Sequence, residues 1–300
     1  MKTESSMRKW KIEFLLLMCA FGCLGPVVRG ISLPTAVIVW ARAVISAGSL
    51  LLFLLISRKK DRKQFRSFLL PMLASGVFLA VDWIGLFASY RYTTIATSTL
   101  CYYITPVIVL LGAALFLKER LTVRKTFCIA IAFLGMVLVS GVAENGLPEL
   151  AEIKGVLLAL LGALGYATVI LINKKYPDGD PLMRTFVQLC TAALIMTAYT
   201  VKTADLSSFT LSVKDVVLLL VLGVLMTAVA YIAYFFLVVR IPSSSVAFFS
   251  YADPVVAVLI SVFVLGEPFS LPALIGGVMI LGAAMASELP GDASDQEAAA

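Results

Sequence analysis

The chain has 300 residues, of which 61% are hydrophobic and only 14% charged, with a mean hydropathy of +1.00. Soluble domains run at about 45–50% apolar and about 25% charged, so this surface is too apolar for one core to hide and much of it must face lipid. The net charge of +6 comes with no histidine, which removes the commonest acid–base residue and metal ligand; the basic residues collect in short patches between apolar runs, which leaves no soluble basic face for nucleic acid.

A helix that crosses hydrocarbon needs about 20 mostly apolar residues. Ten such runs follow one another, near 12–30, 33–57, 68–90, 93–117, 124–142, 153–173, 181–201, 214–238, 242–265 and 271–288. An all-α membrane protein is expected, because lipid gives backbone groups no partner and a barrel would show alternating segments. The first run is as long as a span and shows no small-residue cleavage site, so it reads as a span and not as a signal peptide. Residues 1–11 form an N-terminal segment, 143–152 a linker between halves 12–142 and 153–288, and 289–300 an acidic tail expected to be disordered. The loops are short, so no soluble catalytic domain fits between the spans.

Lys and Arg set the orientation. With the N-terminus inside, 18 of the 24 basic residues fall on the inner side, 5 on the outer side, and Arg42 lies within the second span. Both termini are therefore expected in the cytoplasm. The five cysteines, Cys19, Cys23, Cys101, Cys128 and Cys190, all lie in apolar runs and read as small buried residues. No metal and no cofactor is expected.

Two stretches repeat at an offset of 148 residues: Thr105-Pro106 followed by Leu117-Lys118-Glu119-Arg120-Leu121-Thr122, and Asp253-Pro254 followed by Leu265-Gly266-Glu267-Pro268-Phe269-Ser270. The spans thus fall into two sets of five. Five is odd, so the sets enter the membrane in opposite senses, an inverted repeat of the kind that builds transporters. The charges agree: the loop from Lys118 to Lys125 carries four basic residues, and its counterpart from Gly266 to Ala273 carries none.

With these motifs the chain resembles the EamA branch of the drug/metabolite transporter superfamily. Ala41-Arg42-Ala43 in the second span and Tyr90-Arg91-Tyr92-Thr93 before the fourth are similar to that family's pattern, and the resemblance covers residues 10–287. It implies transport of a small molecule and, by analogy with relatives, export. It does not imply the substrate.

Asp82 lies inside the third span, where a carboxylate costs roughly 2.5–3.5 kcal/mol to insert. Arg42 is at a similar depth, roughly 12–14 Å below the outer face at 1.5 Å per residue, so the two are expected either to pair or to bind substrate. Asp253, mid-way along the ninth span, takes the position that Thr105 holds in the first half, so its charge is present in one half only, and it is the second candidate. Pro106 and Pro254 each remove a helical hydrogen bond and are expected to kink their spans, freeing the Tyr102 and Ser250 carbonyls. Trp40, Phe78, Trp83, Tyr102, Tyr234 and Tyr251 are candidate substrate contacts, since aromatic faces hold cations by roughly 0.5–2 kcal/mol each. Glu119 and Glu267 are expected to cap the helices that begin at Thr122 and Ser270. Gly22 and Gly25, Gly162 and Gly165, and Gly276 and Gly277 read as close helix contacts.

There is no Gly-x-x-x-x-Gly-Lys-Ser/Thr loop, so ATP hydrolysis is not expected. The reading is a secondary transporter in the inner membrane of a prokaryote, monomer or homodimer, with protons as a possible coupling ion carried by Asp82, Asp253 or tyrosines. The core holds too few cations for phosphate esters. It suits a zwitterionic amino acid or related amphipathic metabolite, with Arg42 on the carboxylate and an aspartate on the ammonium. Organic amines and quaternary ammonium compounds are the alternative, and a lipid scramblase or scaffold is the remote one.

Overall fold

A computed structural model describes residues 2–57, 65–92, 98, 101–119, 122–139, 153–204, 210–264 and 271–288. In chain order the helices are α1 (Lys2–Gly22), α2 (Leu24–Arg29), α3 (Thr35–Ser57), α4 (Phe65–Ser89), α5 (Thr105–Phe116), α6 (Val123–Val139), α7 (Ile153–Lys175), α8 (Pro181–Thr203) and α9 (Val213–Leu220). A π-helical stretch, Val221–Val229, then leads into α10 (Ala230–Val238), followed by α11 (Ser243–Phe249), α12 (Ala252–Phe263) and α13 (Leu271–Glu288). No strand occurs among the described residues. Each of the ten expected spans contains helix among the described residues. α3, α4, α7, α8 and the run from α9 to α10 are each long and apolar enough to cross a membrane. Large apolar side chains such as Leu52, Leu115, Leu194 and Phe263 are exposed, as lipid contact requires.

Four spans depart from the simple helices expected. The first starts at Lys2, ten residues before the apolar run, and breaks at Cys23. The fourth and ninth break at Tyr103–Ile104 and at Ser250–Tyr251, so the two prolines start new helices and do not kink old ones. Pro106 occupies the first turn of α5, after Ile104 as the N-cap, where its missing N–H costs nothing. The Tyr102 carbonyl is not left free, because the Thr105 hydroxyl donates to it at 2.6 Å. Asp253 falls in the first turn of α12, beside the positive end of that helix. In the eighth span the Thr227 hydroxyl donates to the Leu222 carbonyl, five residues back, at 2.7 Å, in step with the i to i+5 bonding of a π-helix.

Small residues set the closest contacts. A Cβ on Gly165 would lie 2.9 Å from both the Asp82 nitrogen and the Phe78 oxygen, and one on Gly85 would lie 2.7 Å from the Gly162 nitrogen. α4 and α7 therefore meet backbone to backbone, which holds Asp82 at a fixed height. Gly22 presses on the Asp253 carbonyl in the same way, and Gly135 of α6 on the Gly276 carbonyl of α13. Gly277 has open space where its side chain would be, so the contact expected there belongs to Gly276 alone. The Gly25 side lies outside the described residues. Gly165→Val is expected to force the helices apart at a cost of about 1–3 kcal/mol, read as a lowered midpoint in thermal unfolding of the detergent-solubilised protein.

At one end of the bundle a wholly buried polar network joins three helices. Ser75 of α4 donates to Gln188 of α8 at 2.6 Å, and Asn173 of α7 donates to Gln188 at 2.9 Å. Arg184 of α8 donates to the Pro177 carbonyl at 2.7 Å and to the Asn173 side chain at 3.0 Å. Arg184 is 1% exposed. The sequence had placed it among the loop cations, so Arg42, Asp82 and Asp253 are not the only ionisable groups taken out of water.

Candidate functional site

The centre of the bundle is a column of aromatic rings. Tyr102 stacks on Tyr166 with centroids 6.2 Å apart, and Tyr166 on Tyr234 at 6.0 Å. Tyr231 lies 6.4 Å from Tyr234 and 6.2 Å from Trp83. Phe14 and Phe21 of α1 close the side, 5.6 and 6.1 Å from Tyr234. Trp83 and Tyr231 are 148 residues apart, the offset of the repeat, so equivalent positions of the two halves meet here.

Asp82 and Arg42 flank this column. The Asp82 side chain lies beside the Tyr102 hydroxyl and is 2% exposed. Its Oδ1 has no hydrogen-bond partner. Arg42 places its guanidinium over the Trp83 ring, 4.6 Å from the centroid, and donates to the Tyr231 hydroxyl at 3.4 Å. Its Nε is buried and unpartnered. The direct ion pair expected between Arg42 and Asp82 is not formed. Their charges are near enough to act on each other, but the ion pair found among the described residues is Lys9–Glu13 at 3.7 Å. The Tyr234 hydroxyl is a third buried polar atom without a partner. Buried polar groups are almost always bonded, so three orphans around one ring column set it apart as the candidate site.

Other expected contacts fall elsewhere. Trp40 is tied by its indole N–H to the Thr197 hydroxyl at 2.9 Å and stands outside the column. Phe78 is 37% exposed and turns away from it. Tyr251 packs with Phe248, Leu110 and Ile280 in a separate apolar cluster. Asp253 lies near Tyr103 and Cys19, and Tyr103 meets Tyr102 edge to face at 6.1 Å. The two aspartates are therefore separate groups, one at each end of a tyrosine pair. Glu119 does bond a helix start, but that of α11 and not the helix after Thr122. It accepts from the Ser243 hydroxyl at 2.6 Å and the Ser243 N–H at 3.1 Å. The Thr122 hydroxyl caps its own helix at Lys125 N, 3.3 Å. Glu267 and Ser270 lie outside the described residues.

Tyr166, Phe14 and Phe21 were not singled out in the sequence. A signal existed for the first: Tyr166 follows Gly162 by four residues, on the helix face that Gly162 turns inward.

A cavity of about 410 Å³ opens at one end of the bundle, lined by Thr35 and Val39 of α3, Trp83 and Phe87 of α4, and Met196 and Tyr199 of α8. Trp83 is common to cavity and column, so its ring divides them. The mouth carries Tyr90 and Arg91. Just beyond, the Lys154 ammonium sits 4.2 Å from the Tyr92 ring centroid and holds the Tyr92 phenol below the usual tyrosine range. The buried polar network and the Glu119–Ser243 contact lie at the other end.

The family model of the EamA-like transporters matches residues 8–141 and, again, residues 153–287. An "uncharacterized transporter YxxF" of Bacillus subtilis (strain 168) is 28% identical over 273 residues, which is 90% of this chain and 86% of that protein. An "uncharacterized transporter" of Archaeoglobus fulgidus is 26% identical over 217 residues, 70% of this chain and 75% of its own. A protein of known crystal structure shares the fold, with a TM-score of 0.81 at 16% identity over 94% of this chain and 98% of that one. The match falls once on each half, either side of the linker that the 148-residue repeat implied, and the chain belongs to the EamA-like transporter family, within the drug/metabolite transporter superfamily: a membrane transporter, not an enzyme.

Proposed function

We propose that the protein is a secondary transporter that exports small zwitterionic metabolites, amino acids or their close relatives, by alternating access across a prokaryotic inner membrane. The observation that carries this reading is the pair of opposite orphans. An unpartnered carboxylate oxygen on Asp82 and an unpartnered guanidinium nitrogen on Arg42 flank one tyrosine-lined column. Such a pair suits an ammonium and a carboxylate on one small molecule, and charge-assisted bonds of this kind are the strong ones. On the positive-inside orientation the cavity above Trp83 opens outward. Asp82, and Asp253 beyond the Tyr102–Tyr103 pair, are the carboxylates that a coupling proton would use.

A second reading is an organic-cation transporter. The four tyrosine rings beside Asp82 favour it, since aromatic faces and a carboxylate together hold a quaternary ammonium. Arg42 weighs against it, because its charge repels a cation in the same space. Purified protein in liposomes separates the two. Counterflow driven by neutral amino acids, with quaternary amines inert and no lipid scrambling, is the expected result. Counterflow by amines alone would replace the first reading with the second, and no flux for either class would sink both.

A further inference from the structure

The cavity opens at one end of the bundle, and the other end is shut by side chains that the transport site does not use. After α5 the chain turns through Lys118, whose φ of 57° is left-handed. Leu117 N and Glu119 N both reach the Ala113 carbonyl, at 2.9 and 3.2 Å, the wrapped end of a helix. This turn aims Glu119 across to the second half of the chain, where it takes both donors of Ser243. Beside it Lys174, in the last turn of α7, donates to the Ile241 carbonyl. Only Pro242 separates Ile241 from Ser243, so two charged groups clamp one stiff three-residue segment from both sides. Glu119 and Lys174 are close enough to act on each other's charge. Each nevertheless bonds the clamped segment, and no ion pair between the two occurs among the described residues.

We propose that Glu119 and Lys174 form an exchangeable latch for the transport cycle. In the arrangement seen here they hold residues 241–243 and keep this end shut. When it opens they release Ser243 and Ile241 and pair with each other. The exchange answers a physical demand. A partly buried carboxylate and ammonium that lost their partners together would be costly, and a waiting counter-ion removes that penalty from the opened state. Alternating access then passes between two states with equally satisfied charges, which keeps the barrier and the bias small. The proposal rests on the transporter reading.

Its test needs no substrate. In protein whose five cysteines are replaced, Ala36→Cys places a single thiol at the half-buried cavity lining. The rate of its alkylation by a maleimide in lipid nanodiscs, where both faces are reachable, reports the fraction of time the cavity stands open. Ser243→Ala weakens only the shut latch and is expected to slow labelling roughly fivefold, which is what the tenfold shift of one hydroxyl–carboxylate bond does to a near-even equilibrium. Ser243→Thr keeps the hydroxyl and should label like the parent. Lys174→Gln keeps a donor for Ile241 but cannot form the ion pair, so it should label as fast as the parent or faster. A Ser243→Ala rate within about twofold of the parent overturns the latch. Slowing by Lys174→Gln as strong as that by Ser243→Ala overturns the exchange. Either result leaves the counterflow experiment untouched, so failure of the latch and failure of the transport reading are told apart.

Discussion

Asp82→Asn is expected to lower kcat/KM for the transported amino acid by roughly 10- to 100-fold, the range that loss of one charge-assisted hydrogen bond covers. The same change should leave the unfolding midpoint unchanged or raise it. Asparagine is isosteric, so packing against α7 is kept. What disappears is a buried carboxyl group whose Oδ1 has no partner and whose nearest cation, Arg42, leans instead on Trp83 and Tyr231. Removing such a group relieves the fold, while removing it from a substrate site costs function, the usual exchange at an active centre. A purely structural Asp82 would show the reverse, lost stability with transport kept. Counterflow and thermal unfolding on one preparation read both signs. Arg42→Gln should act in the same direction on transport, because the proposed ligand needs both groups.

Arg184→Leu is expected to be the most damaging single change for stability, by about 3–5 kcal/mol. The guanidinium serves the Pro177 carbonyl, the Asn173 carbonyl at 3.1 Å and the Asn173 side chain. Leucine would leave these acceptors buried and unbonded at the junction of α4, α7 and α8. A fall of roughly 10 °C in the midpoint of detergent-solubilised protein is the expected reading. Replacing Asn173 by leucine as well should return part of the loss, since an apolar pair has fewer orphans than half a network. If the single and double variants melt alike at the parental temperature, the network contributes nothing to the fold.

Much of the architecture was legible before any coordinates. Span positions follow from the 20-residue apolar runs, and the repeat from the matched proline and glutamate motifs, because both are one-dimensional patterns. Depth is also one-dimensional, so Arg42 and Asp82 were expected at one level, and the structure sets both beside the ring column. Which way a side chain points around its helix is not. Arg42 and Asp82 share a depth yet do not bond, and Phe78, four residues before Asp82, turns outward. Tyr166 was missed because the middle of the sixth span carries no charge or proline to draw notice, and only its packing beside Gly162 and Gly165 turns it inward. Glu119 was read against its nearest neighbour in sequence, whereas the left-handed turn at Lys118 sends it to a helix more than a hundred residues away. Arg184 looked like a loop cation because it lies at a span end, but its acceptors come from the turn and helix before it.

The π-helical stretch from Val221 to Val229 bears on how this chain tolerates changes in length. Each π turn holds more residues than an α turn while bringing the backbone to nearly the same point, so the stretch stores surplus chain. Deleting one residue there can be absorbed by relaxing towards the α form, with Tyr231 and Tyr234 still facing the column. The same deletion in α4, a continuous α-helix, would rotate Asp82 and Trp83 by about 100° relative to the start of the helix. Insertions and deletions between relatives should therefore be accommodated in the eighth span and excluded from the third.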